Sequence, residues 1–339
     1  MWMLISSGAD GSPRRGRFEK TRLLMGGPAT TVNFPYVCSV LCCGDKYHIA
    51  VSMCTIIAKG WAVASMSNMA FELKYDGEET TFYKLYKELR VVAGADALIP
   101  GAELDLHETI SKNVQTVKVK NVHVIRNNKE VFEGFRPFRY SHLVNPSDLE
   151  KPYLVRRNVY DFEFPFAFLE LEKRFNTTKN VDQIEETDQL NEDIRESFKT
   201  FIAINLGTKR LTCKVPGWGL SVTRNIEGVR RLVYQKVISI EGWACRNTYC
   251  TNEISTCTKY PNEKAVDVAC FKSLQYGDVC ELDEGAGLYC PDYHGGVIAL
   301  VASSLDCGVS GTPPVYYLVS SVRAVLRRIL REPWGPQNQ

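Results

Sequence analysis

The most informative stretch of this chain is Cys280-Glu281-Leu282-Asp283-Glu284-Gly285-Ala286-Gly287-Leu288-Tyr289-Cys290. Two cysteines bracket it, and the adjacent acids Asp283 and Glu284 lie near its centre. Further short motifs occur along the 339 residues, namely Leu24–Thr30, Phe34–Tyr36, Thr55–Ala64, Cys213–Gly219, Gly296–Ile298, Cys307–Gly308 and Pro314–Tyr316. Each motif is weak alone, and their common order and spacing make them informative.

The quoted stretch resembles the nucleophile loop of trypsin-like serine proteases, which reads Cys-x-Gly-Asp-Ser-Gly-Gly-Pro-x-x-Cys. The other motifs are similar to the mature start of that family, to the strand before its catalytic histidine and to its Cys-x-x-x-Gly-Trp-Gly segment. The resemblance extends from about Leu24 to Leu330. It implies an all-β, chymotrypsin-like fold with two six-stranded antiparallel β-barrels and a C-terminal α-helix.

The positions that carry catalysis in the family hold other residues here. Ser67 stands at the position of the general base, Pro165 at that of the aspartate and Glu284 at that of the nucleophilic serine. A serine hydroxyl cannot take up a proton near neutral pH, and proline offers no carboxylate. A glutamate is a weak acyl-transfer nucleophile and brings negative charge to the place where an oxyanion must form. Because triad members act as a unit, the resemblance implies a protease fold without protease chemistry.

The substrate-binding positions of the family are altered as well. Leu282 replaces the glycine of the oxyanion loop, and its side chain restricts the backbone. Asp278 matches the acidic base of a pocket that selects Lys or Arg, but we interpret it as an inherited acid that is hydrogen-bonded or solvated. The pocket walls hold Ser303 for the usual Trp, Ser304 for a Gly and Pro314 for the Gly that keeps the pocket open. We expect the proline ring to obstruct a long side chain.

Two alternatives keep chemistry at the site. The five histidines all lie away from the general-base position, and they are His48, His107, His123, His142 and His294. The long segment between Ser67 and Pro165 leaves open that one of them is brought in from elsewhere. Metal binding by Asp283 and Glu284 is the other alternative, although no His or Cys pattern supports it. We expect neither a metal nor another cofactor.

Twelve cysteines in a chain of this size are typical of an oxidising compartment. The resemblance proposes the disulfides Cys213–Cys290, Cys245–Cys270 and Cys280–Cys307, and Cys250–Cys257 is a further candidate pair. The histidine-loop disulfide of the family is expected to be missing, because its two positions hold Ser52 and Asn68.

Four more cysteines cluster in the first half of the chain, at Cys38, Cys42, Cys43 and Cys54. They can form two disulfides, or four thiolates can bind zinc. We favour disulfides because Cys42-Cys43 lacks the Cys-x-x-Cys spacing of zinc sites.

The domain organisation follows from the resemblance and from hydrophobic periodicity. We expect a disordered segment over residues 1–23, a trypsin-like domain over 24–332 and a tail over 333–339. Within the domain, the first barrel covers about 24–175, the second about 200–317 and the helix about 318–331. Alternating patterns predict strands, namely Tyr36–Leu41, Tyr47–Ile57, Gly60–Ser65 and Val114–Ile125.

Three segments outside the barrel strands have a recognisable character. The apolar face of the helix is predicted to comprise Val322, Val325, Leu326, Ile329 and Leu330, with Arg323, Arg327 and Arg328 largely off that face. The acidic run Asp182–Glu196 is predicted to connect the barrels. The segment between Ser67 and Pro165 is long for the family. It offers either a contact surface with Arg136, Arg139, Tyr140 and His142, or a solvated, variable loop.

Composition limits the partners and the compartment. A net charge of +2 gives no footprint for nucleic acid, and no apolar run is long enough to span a membrane. The apolar start Met1–Ile5 is shorter than the core of a signal peptide, yet the cysteines and the family favour secretion. The sequon Asn176-Thr177-Thr178 is consistent with glycosylation on export.

The resemblance implies a non-catalytic serine protease homologue that binds proteins outside the cell. Such a homologue would be a cofactor, decoy or regulator in a proteolytic cascade, with active proteases or their substrates as partners. The alternative is an active serine-type endopeptidase that uses displaced catalytic residues.

Overall fold

The computed structural model describes residues 27–42, 49–66, 70–74, 81–84, 88–98, 113–126, 130–132, 136–137, 153–155, 165–184, 212–218, 230–241, 244–245, 268–274, 278–279, 283–291, 296–303 and 312–331. The predictions for residues 1–23 and 333–339 lie outside these ranges and stay predictions.

The described residues form strands throughout and end in one long helix. In chain order the elements are β1 (Gly27–Pro28), β2 (Val37–Cys42), β3 (Ile49–Ala58), β4 (Trp61–Ser65), β5 (Ala70–Lys74), β6 (Thr81–Lys84), β7 (Leu89–Ala93), β8 (Ala97–Leu98), β9 (Gln115–Arg126), β10 (Glu130–Phe132), β11 (Arg136–Pro137), β12 (Tyr153–Val155), β13 (Phe166–Leu171), β14 (Thr212–Gly217), β15 (Arg230–Arg231), β16 (Val233–Ile240), β17 (Val268–Ser273), β18 (Gly287–Cys290), β19 (Gly296–Ser303), β20 (Val315–Leu318) and α1 (Val319–Arg331).

Six strands of the first half close into an antiparallel barrel. Their order is β9-β13-β4-β3-β2-β7, and β9 pairs back to β7 to complete the circle. The alternation in β9 directs this arrangement, because Val117 and Val119 pack against the barrel core while Lys118 and Lys120 face solvent. The four predicted strands are confirmed to within two residues at each end.

A second antiparallel barrel is built from the later strands. Its order is β16-β14-β18-β19-β20-β17, closed by the pairing of β16 with β17. Its core includes the buried aromatic rings of Phe271 and Tyr316, whose centroids lie 5.1 Å apart in an edge-to-face arrangement. Strand β1 falls within residues that the prediction gave to the first barrel, and it pairs with β16 of this second sheet.

The long segment after Ser67 is partly structural. It supplies β7 and β9 to the first barrel and forms a separate four-stranded sheet in the order β11-β6-β5-β12. Arg136 lies in β11, but its side chain is outside the described residues, as are Arg139, Tyr140 and His142. The contact surface proposed for these residues therefore stays a prediction.

Helix α1 packs on the second barrel, and two expectations about its faces are wrong. Val322, Leu326 and Ile329 are buried as predicted, whereas Leu330 is 58% exposed. Arg323 was expected off the apolar face, yet it is only 4% exposed, and its Nη2 donates to the backbone oxygen of Ile184 at 3.0 Å. The connection between the barrels covers the helix at Ile184, so a carbonyl that is buried there needs a donor.

Among the described helices, none has the length and apolarity required to cross a membrane.

Candidate functional site

The structure brings together the end of β4, the start of β13 and the loop before β18, which carry the three positions that the resemblance assigns to a triad. Strands β4 and β13 run side by side with Ser65 opposite Phe166, and the N–H of Met66 donates to the oxygen of Pro165 at 2.8 Å. Pro165 thus lies beside the residue that precedes Ser67 in sequence. Ser67 itself is outside the described residues, so its role stays a prediction.

The loop that holds Glu284 docks on the first barrel through its backbone. Ser52 Oγ lies 3.0 Å from the oxygen of Glu284 and 2.8 Å from that of Met53, so its one hydrogen is shared between these two acceptors, and Thr55 Oγ1 donates to the oxygen of Gly285 at 2.7 Å. Both hydroxyls project from β3 and are buried. These bonds satisfy carbonyls that the contact between the barrels removes from water.

Gly285 is required by this close approach. Its φ is +94°, and a Cβ built at this position would lie 2.7 Å from the backbone oxygen of Met53 and 3.0 Å from Cα of Ala64. Any side chain would therefore push the loop away from the middle of β3 and the end of β4. The loop is held against the first barrel as tightly as backbone contact allows.

The acids of this loop are not presented to solvent. Glu284 is 6% exposed and Asp283 is fully buried. A carboxylate at the nucleophile position has no hydroxyl to transfer to a carbonyl carbon, and Pro165 has no carboxylate with which to orient a base. The assignment of Glu284 and Pro165 to triad positions stays a prediction, and on that assignment neither described side chain supplies acyl transfer.

His123 is the only one of the five histidines that the structure describes, and it lies elsewhere. Its ring is buried on the outer side of the first barrel, with Nε2 3.3 Å from Oε2 of Glu170 and the ring centroid 5.2 Å from that of Trp61. The backbone of His123 lies opposite Phe168, and its ring contacts Trp61, which is at the other end of β4 from Ser65. His123 is therefore not a relocated general base for the cleft.

Glu170 is the centre of the His123 cluster. Burial raises the pKa of its carboxyl, but hydrogen bonds from Lys120, Asn121 and His123 outweigh burial and hold the pKa below its usual value. The cluster is thus held together by an ionised carboxylate on the surface of the barrel.

The acid at the base of the family's specificity pocket has backbone partners. Asp278 is buried, and its two carboxyl oxygens accept from the N–H of Ser273 at 3.1 Å and from that of Val279 at 2.9 Å. Burial raises its pKa to about 6, although those two hydrogen bonds and the charge of Lys272 act in the opposite direction. This geometry favours the interpretation of Asp278 as a hydrogen-bonded acid.

The pocket-wall positions are only partly described. Pro314 is buried immediately before β20, and Ser303 at the end of β19 pairs with Val315. The side chain of Ser303 and all of Ser304 and Leu282 lie outside the described residues. The obstruction by Pro314 and the loss of the oxyanion site stay predictions.

The structure contains three disulfides among the described cysteines. Cys213–Cys290 and Cys245–Cys270 are two of the pairs that the resemblance implied, and Cys38–Cys54 joins opposed residues of β2 and β3. The sulfurs of Cys38 and Cys54 are bonded to each other and are not two thiolates of a four-cysteine zinc site. The pairs Cys280–Cys307 and Cys250–Cys257, and Cys43, lie outside the described residues.

The roles of Ser52 and Thr55 were missed by sequence reasoning. Ser52 was noted only as the lost half of a disulfide, and Thr55 only as part of a strand motif. A serine or threonine in a predicted strand is weak evidence for a tertiary contact, because the sequence does not show which acceptor its hydroxyl will bind. The acceptors here come from residues more than 200 positions away in sequence.

No protein-family model matches the chain, and no curated protein matches it. A solved structure described as "Structure of GrC" is similar to it, with a TM-score of 0.54 and 14% sequence identity. The match covers 91% of this chain and 99% of that chain. At this identity the likeness shows the fold alone, and together with the two closed barrels it establishes that this chain has a chymotrypsin-like fold.

Proposed function

We propose that this protein is a non-catalytic member of the trypsin-like serine proteases that works by binding other proteins. The observation that carries the proposal is the buried Glu284, whose loop backbone is bonded to Ser52 and Thr55, together with Pro165 where the resemblance expects an acid. A substrate carbonyl would meet a buried carboxylate there instead of a base-activated hydroxyl.

The decisive experiment is labelling of the folded protein with a serine-directed fluorophosphonate, beside hydrolysis of Lys and Arg esters. The proposal expects labelling no greater than in the heat-unfolded protein, because the loss of a triad lowers the rate by about a million-fold. Stoichiometric labelling of a single serine in the folded protein alone would refute it.

Restoration of the triad tests how far the cleft has diverged. The variant Ser67→His/Pro165→Asp/Glu284→Ser is expected to recover little activity, because Leu282 and Pro314 still obstruct the oxyanion loop and the pocket. Trypsin-like turnover by this variant would show that only the three triad positions were altered.

The alternative function is an active endopeptidase that uses displaced residues. It needs a histidine beside a hydroxyl or thiol in the cleft, and His123 is held at Glu170 instead. The other four histidines lie outside the described residues, so substitution of each by Ala in an activity assay separates the two functions.

We further propose that the protein acts outside the cell, as a cofactor, decoy or regulator of proteolysis. Three disulfides support an oxidising compartment, and Asn176 of the sequon is exposed on the first barrel. Sensitivity of the cell-secreted protein to an N-glycosidase, absent in Asn176→Gln, would test export and modification together. Affinity capture from extracellular fluid would identify active proteases or their substrates as partners.

A further inference from the structure

We propose that the outer surface of the first barrel, at the end away from the cleft, binds a sulfated polysaccharide. The binding surface is the basic face, which consists of Lys59, Arg90, Lys118, Lys173 and Arg174. The choice of a sulfated polysaccharide rests on the proposed extracellular function, whereas the binding of a polyanion does not.

The fold gathers these residues from four separate parts of the sequence. Arg90 of β7 and Lys118 of β9 are directly opposed in the sheet. The oxygen of Lys118 accepts from the N–H of Glu172 at 2.9 Å, which brings Lys173 and Arg174 to the same edge. The oxygen of Lys59 accepts from Phe175 N–H at 2.8 Å. The five cations therefore form one continuous surface.

The charges on the basic face are poorly neutralised. Lys59, Lys118, Lys173 and Arg174 are exposed and Arg90 is half-buried, and none is in an ion pair among the described residues. The acids nearby are Glu88, Glu172 and Glu170, and the last already binds Lys120 at 2.7 Å.

The direct opposition of Arg90 and Lys118 costs stability, since like charges across a strand pair repel. An anion bound between them would remove that repulsion. Among the described residues, no carboxylate fills the space between these two cations, and the surface is suited to bind an anion.

The chemistry of the face favours a linear polymer with repeated charges. The large apolar side chains exposed in the described part of the chain are Val32, Leu274 and Leu330, and none belongs to the elements of the basic face. An acidic peptide or a membrane would therefore find no apolar anchor there. Two aromatic residues lie beside the face, and neither presents its ring for stacking on a base: Phe175 is buried, and the ring of Trp61 packs on His123. Sulfate groups need only the exposed cations.

Heparin-affinity chromatography of the full chain, followed by titration with a size-defined heparin oligosaccharide at physiological ionic strength, tests the proposal. The variant Lys118→Gln/Lys173→Gln/Arg174→Gln is expected to bind about tenfold more weakly or worse, because it loses three charge contacts. The matched control, Arg231→Gln/Lys236→Gln/Arg327→Gln, removes three exposed charges from β15, β16 and α1, and is expected to bind like the wild type.

Several results would overturn the proposal. They are an absence of wild-type binding at physiological salt, an equal loss of binding in both triple variants, and binding of duplex DNA as tight as that of the oligosaccharide. The last result would assign the surface to nucleic acid. None of these binding results depends on catalysis. A negative binding result would therefore not contradict the proposed non-catalytic function, and labelling by a fluorophosphonate would not contradict anion binding at the basic face.

A footprint on the wild-type protein avoids any dependence on how the variants fold. Acetylation of lysines with and without the oligosaccharide is expected to show protection of Lys59, Lys118 and Lys173 and none of Lys236. Protection confined to Lys236, or spread evenly over all four lysines, would contradict the assignment.

Discussion

The two ends of the first barrel differ in what they expose. At the cleft end, β3 and β4 are covered by the backbone of the Glu284–Gly285 loop, and the contacts are buried and short. At the far end, the turn Lys59–Gly60 and the segment after β13 expose lysine and arginine. The same strands thus carry a closed end and an open, charged end about 13 Å apart along β4.

The two ends also differ in their structural role. The loop at Glu284 packs between the barrels, and its backbone is fixed there by buried bonds to Ser52 and Thr55. The turn Lys59–Gly60 and the segment after β13 do not pack between the barrels, so their exposed side chains are available for contact with other molecules.

The largest expected effect comes from filling Gly285. Gly285→Ala should lower the free energy of unfolding by about 4 kcal/mol, since it adds both a disfavoured positive φ and a clash with the backbone of Met53. Gly60→Ala is the matched variant at the open end, where the new Cβ meets only the Arg174 side chain at 3.7 Å. Chemical denaturation should show a large loss for the first and little change for the second; equal losses would erase the contrast.

The buried acid Asp278 should give the protein a pH dependence of stability. Its pKa is raised to about 6 in the folded state, so folding favours the protonated form, and stability falls as pH rises from about 4 to above 6. The contribution lost over that window is up to about 3 kcal/mol. Denaturant titrations at pH 4.5 and pH 7 should show a smaller decline for Asp278→Asn than for the wild type. Parallel declines would mean that Asp278 ionises freely in the fold.

The smallest of these effects compares two threonines of the first barrel whose hydroxyl groups are buried. Thr55→Val should cost about 2 kcal/mol, because it deprives the carbonyl of Gly285 of a buried donor. Thr116→Val, nearer the open end, should be neutral or slightly stabilising, because its hydroxyl is buried without a hydrogen-bond partner among the described residues. Thermal unfolding of both variants measures the difference, and a reversed order would remove the role assigned to Thr55.

Sequence reasoning succeeded where the pattern is local. Alternation located β2, β3, β4 and β9, and the order of short motifs implied two barrels and a terminal helix. The prediction that Arg323 lies off the apolar face of the helix was wrong. An arginine beside an apolar stripe is normally expected to face solvent, and the sequence does not show that the backbone oxygen of Ile184 lies within hydrogen-bond distance of it. The prediction that Leu330 lies on the buried face was also wrong, because none of the described residues covers its side chain in the last turn of the helix.

The sequence by itself determined the strand pattern and implied the two-barrel fold, because these depend on residue identity and spacing, and it predicted which residues stand at the triad positions. Only the tertiary structure decided that Ser52 and Thr55 bind the Glu284–Gly285 loop and that His123 lies with Glu170. The tertiary structure also brings the cations of the basic face together, which the overall net charge of +2 does not indicate. The physical reason is that hydrogen bonds and electrostatic fields depend on distance in space, and strand pairing brings together residues that lie far apart in the chain.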